Sequence, residues 1–143
     1  MYIFEYKKGL QLEYIQVFVS QEFTPPHLLR GVNIDIYTNK LSLYANFLIC
    51  NEKGVDIGFI AFYENREQNV IYITLIAVRQ GLQHKGVGSK MMDKLVSSYQ
   101  DTEFRGIKLE VDKDNTNAYL FYLKHNFYLI EDRKTKLLMG KDI

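Results

Sequence analysis

The sequence has little of what marks several classes of protein. It contains one cysteine, two prolines, no tryptophan and a net charge of +1 in 143 residues. A single cysteine cannot form an internal disulfide, so we expect a reducing compartment and a cytoplasmic protein. The near-zero net charge argues against a nucleic-acid or anionic-membrane partner. The shortage of proline, together with many apolar residues, argues against a disordered chain.

Long apolar runs are also absent. The N-terminus offers no apolar stretch of the length that a signal peptide needs. The most apolar stretch, Val70–Val78, is far shorter than the ~20 residues of a membrane-spanning helix. What is present is a hydrophobic fraction of 47%, enough for one core, so we expect a single domain over residues 1–143. The 11 tyrosines and 9 phenylalanines are more than one small core needs, which is compatible with a homodimer.

Hydrophobic periodicity predicts a sheet interrupted by a few helices. Val70–Val78 is apolar on both faces, which is typical of a central strand in a covered sheet. The other predicted elements are strands 2–6, 45–51, 55–64, 106–111, 127–131 and 136–141, and helices near 10–18, 26–30, 87–100 and 116–125. Residues 31–44 fit a strand and a helix equally well. The central strand, helix 87–100 and strand 106–111 form a βαβ unit, which implies a locally parallel pair.

A glycine-rich segment joins the central strand to its helix. It reads Gln83-His84-Lys85-Gly86-Val87-Gly88-Ser89, which is Q-x-x-G-x-G at a helix start. Glycines let the backbone approach an anion, and the free N–H groups of a helix start point toward it. The P-loop motif does not match, because Val87 and Gly88 stand where it needs Lys and Ser or Thr. A dinucleotide fingerprint lacks its third small residue, since Met91 occupies that position. Taken alone, the glycines also suit a simple tight turn.

A second motif follows at the next strand and helix. Its residues are Leu109-Glu110-Val111, Asn115-x-x-Ala118-x-x-Phe121-Tyr122 and Asn126-Phe127. With the glycine-rich segment, in this order and spacing, the chain resembles the GNAT superfamily of acetyl-CoA-dependent N-acetyltransferases over about residues 45–130. The resemblance implies a mixed α/β (α+β) fold with a central mixed sheet of about six or seven strands flanked by about four helices. It assigns residues 45–130 to the coenzyme-binding core and residues 1–44 to a variable acceptor-side part.

The resemblance also implies acetyl-CoA as the acetyl-donor cosubstrate and assigns residues to it. The pyrophosphate cradle would comprise Gln83, Gly86 and Gly88 with the intervening backbone of His84, Lys85 and Val87, followed by Ser89. Ile76 and Val78 would offer backbone groups to the pantetheine arm. Asn115 would contact the coenzyme, although an N-cap of the following helix is an equal alternative. Lys124 would meet a coenzyme phosphate or be a solvated charge.

Catalysis in such a site needs an acid and a base. By resemblance Tyr122 is the general acid, and a phenol, which is protonated at neutral pH, suits donation to a departing thiolate. Tyr122 also lies on a helical stripe that is compatible with a purely structural role. Glu64 and Glu110 are the candidate bases. Cys50 lies in an apolar strand, so we interpret it as a core residue and not a nucleophile.

The expected function is transfer of an acetyl group to a primary amine of a small molecule, such as an amino sugar, by direct attack in a ternary complex. The alternatives are an acetyltransferase for a protein amino group and a non-catalytic acyl-CoA-binding regulatory module. Lys85, Lys90 and Lys94 follow the outer face of a helix, which is more typical of a solvated surface than of a nucleic-acid site. No group of side chains at ligand spacing predicts a metal.

Overall fold

The computed structural model describes residues 1–18 and 33–143. The elements are β1 (Tyr2–Lys8), α1 (Leu12–Phe18), α2 (Ile34–Tyr44), β2 (Asn46–Glu52), β3 (Val55–Asn65), β4 (Val70–Val78), α3 (Val87–Tyr99), β5 (Gly106–Asp112), α4 (Thr116–Lys124), β6 (Tyr128–Arg133) and β7 (Lys136–Asp142). The mixed α/β fold and the predicted strands are confirmed, with boundaries that move by one or two residues. The predicted helix near residues 26–30 lies outside the described residues.

The strands form one mixed sheet with β4 at its centre. The sheet has 7 strands in the order β1-β2-β3-β4-β5-β7-β6. β4 pairs in parallel with β5, as the βαβ unit predicts, and antiparallel with β3. One face of the sheet packs on α3, through Met91, Met92 and Leu95. The other face packs on α1 and α2, through Ile15 and Leu41. Because helices cover both faces, β4 needs apolar side chains on both of its sides.

β4 and β5 separate halfway along their length. Their parallel pairing runs only from Val70 opposite Gly106 to Ile73 opposite Leu109, although both strands continue beyond that point. The pairing of β3 with β4 is irregular at the same level, where Ala61 pairs with Leu75 and Phe62 with Ile73. Thr74 is therefore the extra residue of a β-bulge, which bends a strand and breaks its ladder. The result is a gap between the second halves of β4 and β5.

A capping hydrogen bond decides the structure of one segment, and burial decides the environment of Cys50. Residues Asn33 to Tyr37 alternate like a strand, yet they begin α2, because the Asn33 side chain accepts a hydrogen bond from the Ile36 amide.

Cys50 is fully buried in the core below α3, and burial raises the pKa of its thiol to about 11, consistent with a structural role. Within the described parts of the chain, no helix is long and apolar enough to cross a bilayer.

Candidate active site

The gap between β4 and β5 opens into the cavity that holds most of the predicted site residues. The cavity has a volume of about 810 Å³, in the range of small-molecule sites. Its walls come from α2, the separated halves of β4 and β5, the start of α3, one face of α4, and β7. The predicted site residues that line it are Ile76, Val78, Gln83, His84, Gly86, Gly88, Ser89, Glu110, Asn115, Tyr122 and Lys124. Residues 83–89 and 109–124 therefore meet in one place.

The start of α3 presents backbone amides to this cavity. Its N-cap, Gly86, has φ of 89°, a left-handed conformation that glycine adopts without strain. Gly86 has no side chain, so no capping hydrogen bond satisfies the first amides of α3. A Cβ built on Gly86 would meet nothing within 4 Å, so the space above these amides is open. An uncapped helix start beside open space favours an anion, because the N–H groups and the helix dipole both attract negative charge.

The open edge of β4 supplies a second set of backbone groups. The Thr74 carbonyl accepts a hydrogen bond from the Tyr37 hydroxyl (3.2 Å), and the Val78 carbonyl accepts one from Gln83 Nε2 (3.1 Å). Backbone groups alternate along a strand, so Ile76 faces the same edge between them. Where β5 has left, this edge offers the pairing that an extended ligand arm can use. Gln83 thus braces the strand end, in addition to lining the cavity.

The start of α4 contrasts with that of α3. Asn115 Oδ1 accepts a hydrogen bond from the Ala118 amide at 3.2 Å, which is the N-cap contact that the sequence left open. Asn115 also lines the cavity, so the cap does not remove it from the site. Asn126 ends the helix region with φ of 66°, the left-handed conformation that asparagine tolerates better than most residues.

Tyr122 lies on the cavity wall between Phe121 and Phe127. Its ring is 5.4 Å from each of theirs, centroid to centroid. Burial raises the pKa of the Tyr122 hydroxyl above its usual value, so the group stays protonated at neutral pH. Among the described residues, the hydroxyl has no hydrogen-bond partner. Tyr122 is therefore a protonated donor available to a ligand.

Side chains from three elements line the cavity near the point where the strands part. The Tyr72 hydroxyl on β4 donates to Glu110 Oε1 on β5 at 3.1 Å, and Arg133 lies 3.3 Å from Glu110 Oε2. Burial, and then the Glu110 carboxylate, raise the pKa of Tyr72 to about 12. The Tyr37 hydroxyl of α2 lies 2.8 Å from Thr74 Oγ1, and burial raises its pKa to about 12. Both tyrosines are therefore neutral, and Tyr72 is hydrogen-bonded to the Glu110 carboxylate.

Three of the predicted site residues do not line the cavity. Glu64 accepts hydrogen bonds from the Tyr99 hydroxyl (2.8 Å) and from Arg66 (3.0 Å), a network on the α3 side of the sheet. The Lys85 side chain is exposed beside the loop, and the Val87 side chain is 3% exposed in the core below α3. Val87 can therefore offer a ligand only its backbone, and the Lys85 side chain is not part of the cavity wall.

Tyr37 and Tyr72 are cavity residues that sequence reasoning did not select. Tyr72 lies on the central strand, at a position where a carboxylate side chain could have served as the general base. A tyrosine there gave no reason to assign it a role. The sequence did not indicate Tyr37 as a site residue, because the segment around it fitted both a strand and a helix. Its hydrogen-bond partner, Thr74, is also 37 residues away. In the described residues, no group of three or more His, Cys, Asp or Glu side chains could hold a metal ion.

Comparison with known families identifies the fold. The model of the Acetyltransferase (GNAT) family matches residues 12–127. The chain therefore belongs to the GNAT family of acetyltransferases and is an acyltransferase. No curated protein sequence matches the chain significantly.

Solved structures share the fold at low sequence identity. The PaiA N-acetyltransferase from Thermoplasma acidophilum, in complex with coenzyme A, is 17% identical with a TM-score of 0.73, covering 99% of both chains. The ribosomal-protein-S18-alanine N-acetyltransferase from Escherichia coli is 12% identical with a TM-score of 0.75, covering 99% of this chain and 94% of that one. A GNAT family acetyltransferase from Elizabethkingia anophelis, with acetyl-CoA bound, is 14% identical with a TM-score of 0.70, covering 99% and 98%.

Acetyl-CoA fits the cavity as the cosubstrate of this family. A diphosphate suits the uncapped start of α3 and the open space above Gly86. An extended pantetheine arm suits the free edge of β4. The fit rests mainly on backbone groups of α3 and β4.

Proposed function

We propose that this acetyltransferase moves the acetyl group of acetyl-CoA to a primary amine of a small molecule, by direct attack in a ternary complex. One observation carries the proposal. A single cavity joins the uncapped start of α3, the protonated Tyr122 and the Glu110 carboxylate. An anion-binding end, a proton donor and a proton acceptor are what transfer from a thioester to an amine requires.

The coenzyme end is assigned residue by residue. Gln83, His84, Gly86, Gly88 and Ser89 surround the diphosphate, with the Lys85 and Val87 amides completing the loop. Charge-assisted bonds to such amides are each worth about 1.5–3 kcal/mol, so a few of them account for firm binding. The edge of β4 at Ile76 and Val78 receives the pantetheine arm. Asn115 and Lys124 line the same cavity, and Lys124 adds a positive charge for a phosphate.

The chemistry then needs only proton movement by this chain. The bound thioester supplies the acetyl group and a thiolate leaving group. Tyr122, protonated and without a partner among the described residues, donates its hydroxyl proton to the thiolate sulfur. No cysteine nucleophile is required, and Cys50 is buried in the core with its pKa raised to about 11.

Glu110 is the proposed base. Its carboxylate lies on the cavity wall where β5 leaves β4, and it can accept the proton of an incoming ammonium directly or through water. Tyr72 and Arg133 fix its two oxygens. Glu64, the other candidate, is held by Tyr99 and Arg66 outside the cavity and is not retained as the base.

The acceptor end favours a small amine. Tyr37 from residues 1–44 and Tyr72 from β4 line the same cavity as Glu110, which supports the assignment of the N-terminal part to the acceptor side. The face of each ring carries partial negative charge, so a cationic amine gains from the rings as well as from the carboxylate. The net charge of +1 gives no surface field for a large charged protein substrate. Amino sugars are within this substrate class.

The experiment that tests the proposal is Tyr122→Phe. We expect the affinity for acetyl-CoA, measured by calorimetry, to change by less than about threefold, while turnover falls about tenfold or more. Turnover is measured as thiol release from acetyl-CoA with a panel of small primary amines. Tyr119→Phe, on the same helix but outside the cavity lining, is the matched control and should change neither quantity.

Three outcomes contradict the proposal in different ways. Unchanged turnover in Tyr122→Phe removes the assigned acid. Tight acetyl-CoA binding by the parent protein, with no thiol release for any amine, supports a non-catalytic acyl-CoA-binding module instead. Release only with peptides that carry a free amino group points to a protein acceptor.

A further inference from the structure

The C-cap residue of α4 contacts the start of α3 directly. His125 is the C-cap of α4, and its Nε2 atom lies 2.9 Å from Ser89 Oγ in the first turn of α3. The two residues are 36 positions apart in the chain. Only 12% of the His125 side chain is exposed, so the contact is largely screened from solvent. Ser89 lines the cavity at its anion-binding end.

The surrounding structure holds the His125 ring in place from several sides. The Phe121 ring packs on it with centroids 4.6 Å apart. Phe121 also lies 3.5 Å from the position of a Cβ on Gly88, so one face of α4 covers both Gly88 and Ser89. On the other side, Lys141 Nζ on β7 donates to the His125 carbonyl at 2.8 Å. Asp93 Oδ1 on α3 lies 3.8 Å from Nδ1, the other ring nitrogen. Phe121 and Asp93 thus flank the ring itself, while Lys141 holds its backbone.

The hydrogen bond between His125 and Ser89 can run in two directions, and only one of them leaves the Ser89 hydroxyl free to donate to an anion. A diphosphate oxygen only accepts hydrogen bonds, so the Ser89 hydroxyl must donate its single proton to it. Ser89 Oγ is then left to accept, and His125 must donate from Nε2–H. The opposite arrangement, in which Ser89 donates to a bare Nε2, turns the hydroxyl proton away from the cavity. The state of the histidine therefore decides which way the serine points.

We propose that His125 is a positioning residue for the coenzyme diphosphate: its Nε2–H holds Ser89 Oγ so that the serine hydroxyl donates to the anion. The proposal rests on the proposed function and adds to it a residue outside the cavity lining. His125 does not touch the coenzyme, so its effect should appear only with ligands that carry the diphosphate. S-acetylpantetheine, which has the thioester and the arm but no diphosphate, separates the two cases.

The test compares His125→Leu and His125→Gln with the parent protein. We expect His125→Leu to weaken coenzyme A binding, measured by calorimetry, by roughly fivefold to tenfold, about the value of the one neutral hydrogen bond that is lost. The kcat/KM for S-acetylpantetheine should stay within about twofold of the parent value. His125→Gln retains an N–H donor and should recover part of the affinity.

A double-mutant cycle shows whether the effect passes through the serine. Ser89→Ala alone should weaken coenzyme A binding by a similar factor, because the hydroxyl is lost while the backbone amide stays. Adding His125→Leu to Ser89→Ala should then cost less than about twofold more. Thermal unfolding of each variant confirms that the comparison is made on folded protein.

Several results would overturn the proposal. Coenzyme A affinity within about twofold of the parent in His125→Leu shows that the ring does not position the serine. An equal loss with coenzyme A and with S-acetylpantetheine shows a general structural role, and additive losses in the double variant show that the two residues act independently. A parent protein that does not bind coenzyme A removes the proposed function as well, which distinguishes that failure from failure of His125 alone.

Discussion

The two ends of the cavity are built in different ways. At the coenzyme end, the groups offered to a ligand are mainly backbone amides and carbonyls from the start of α3 and the edge of β4. At the proposed acceptor end they are side chains from separate elements, Tyr37, Tyr72 and Glu110, already hydrogen-bonded to neighbours. A backbone site is encoded by local geometry, whereas a side-chain site depends on which remote residues the fold brings together.

This difference also explains what each end can select. The amides at the start of α3 can bind a suitably shaped anion whatever side chains surround the acceptor. Side chains at the acceptor end can be exchanged one at a time without disturbing the backbone. We therefore expect the coenzyme end to tolerate little change in glycine and the acceptor end to set the choice of amine.

The largest expected effect is at the acceptor end. Glu110→Gln removes the proposed base while keeping the size of the side chain, and we expect kcat to fall about 100-fold near neutral pH. Coenzyme affinity, measured by calorimetry, should stay unchanged. Glu64→Gln is the matched control, because that carboxylate is bound to Tyr99 and Arg66 outside the cavity. Equal losses of turnover in both variants would mean that the structure does not separate the two acids by function.

A change at the start of α3 tests the backbone end. Gly86→Asp places a carboxylate among the uncapped amides, where it competes with a diphosphate and repels it. We expect the dissociation constant of acetyl-CoA to rise about 30-fold or more, the loss of at least one charge-assisted bond. Gly81→Asp has the same charge and a similar φ, 90° against 89°, outside the cavity lining, so it should change binding far less.

If Gly81→Asp weakens binding as much as Gly86→Asp, the effect comes from loop strain or from charge at long range. Repeating the titration at higher salt separates these two, since screening reduces only the long-range part.

The smallest expected effect compares two capped helix starts. Asn115 caps α4 beside the cavity, and Asn33 caps α2. Each change to alanine should lower the free energy of unfolding by about 1 kcal/mol, measured by urea denaturation. Only Asn115→Ala should also weaken acetyl-CoA binding, by about threefold, because Asn115 lines the cavity. Unchanged affinity in that variant would leave Asn115 as a cap alone.

The elements that sequence reasoning predicted well are those whose signal is local. The limits of β4 agree at both ends and those of α3 within one residue, because two-sided burial and helical periodicity both leave a continuous pattern. Residues 31–44 did not reveal their structure, since the alternation from Asn33 to Tyr37 fits either state. The hydrogen bond of Asn33 and the burial of Leu41 decide for a helix.

The site was predictable to the same extent. The glycine-rich segment and Tyr122 were found from spacing and resemblance. The sequence did not show which of Glu64 and Glu110 lines the cavity. That depends on the side of the sheet on which each carboxylate lies and on the side chains that bind it. The contacts of Tyr37 with Thr74 and of His125 with Ser89 join residues 37 and 36 positions apart, beyond the reach of any local pattern.

The sequence by itself determined the secondary structure along most of the described chain, the order of the two motifs and the uncapped glycine start of α3. These depend on backbone geometry and on apolar spacing within a few turns of chain. The tertiary structure decided where β4 and β5 separate, which carboxylate reaches the cavity and which tyrosines flank it. Those outcomes come from packing between elements, because a bulge at Thr74 and the covering helices fix side-chain directions that no neighbouring residue specifies.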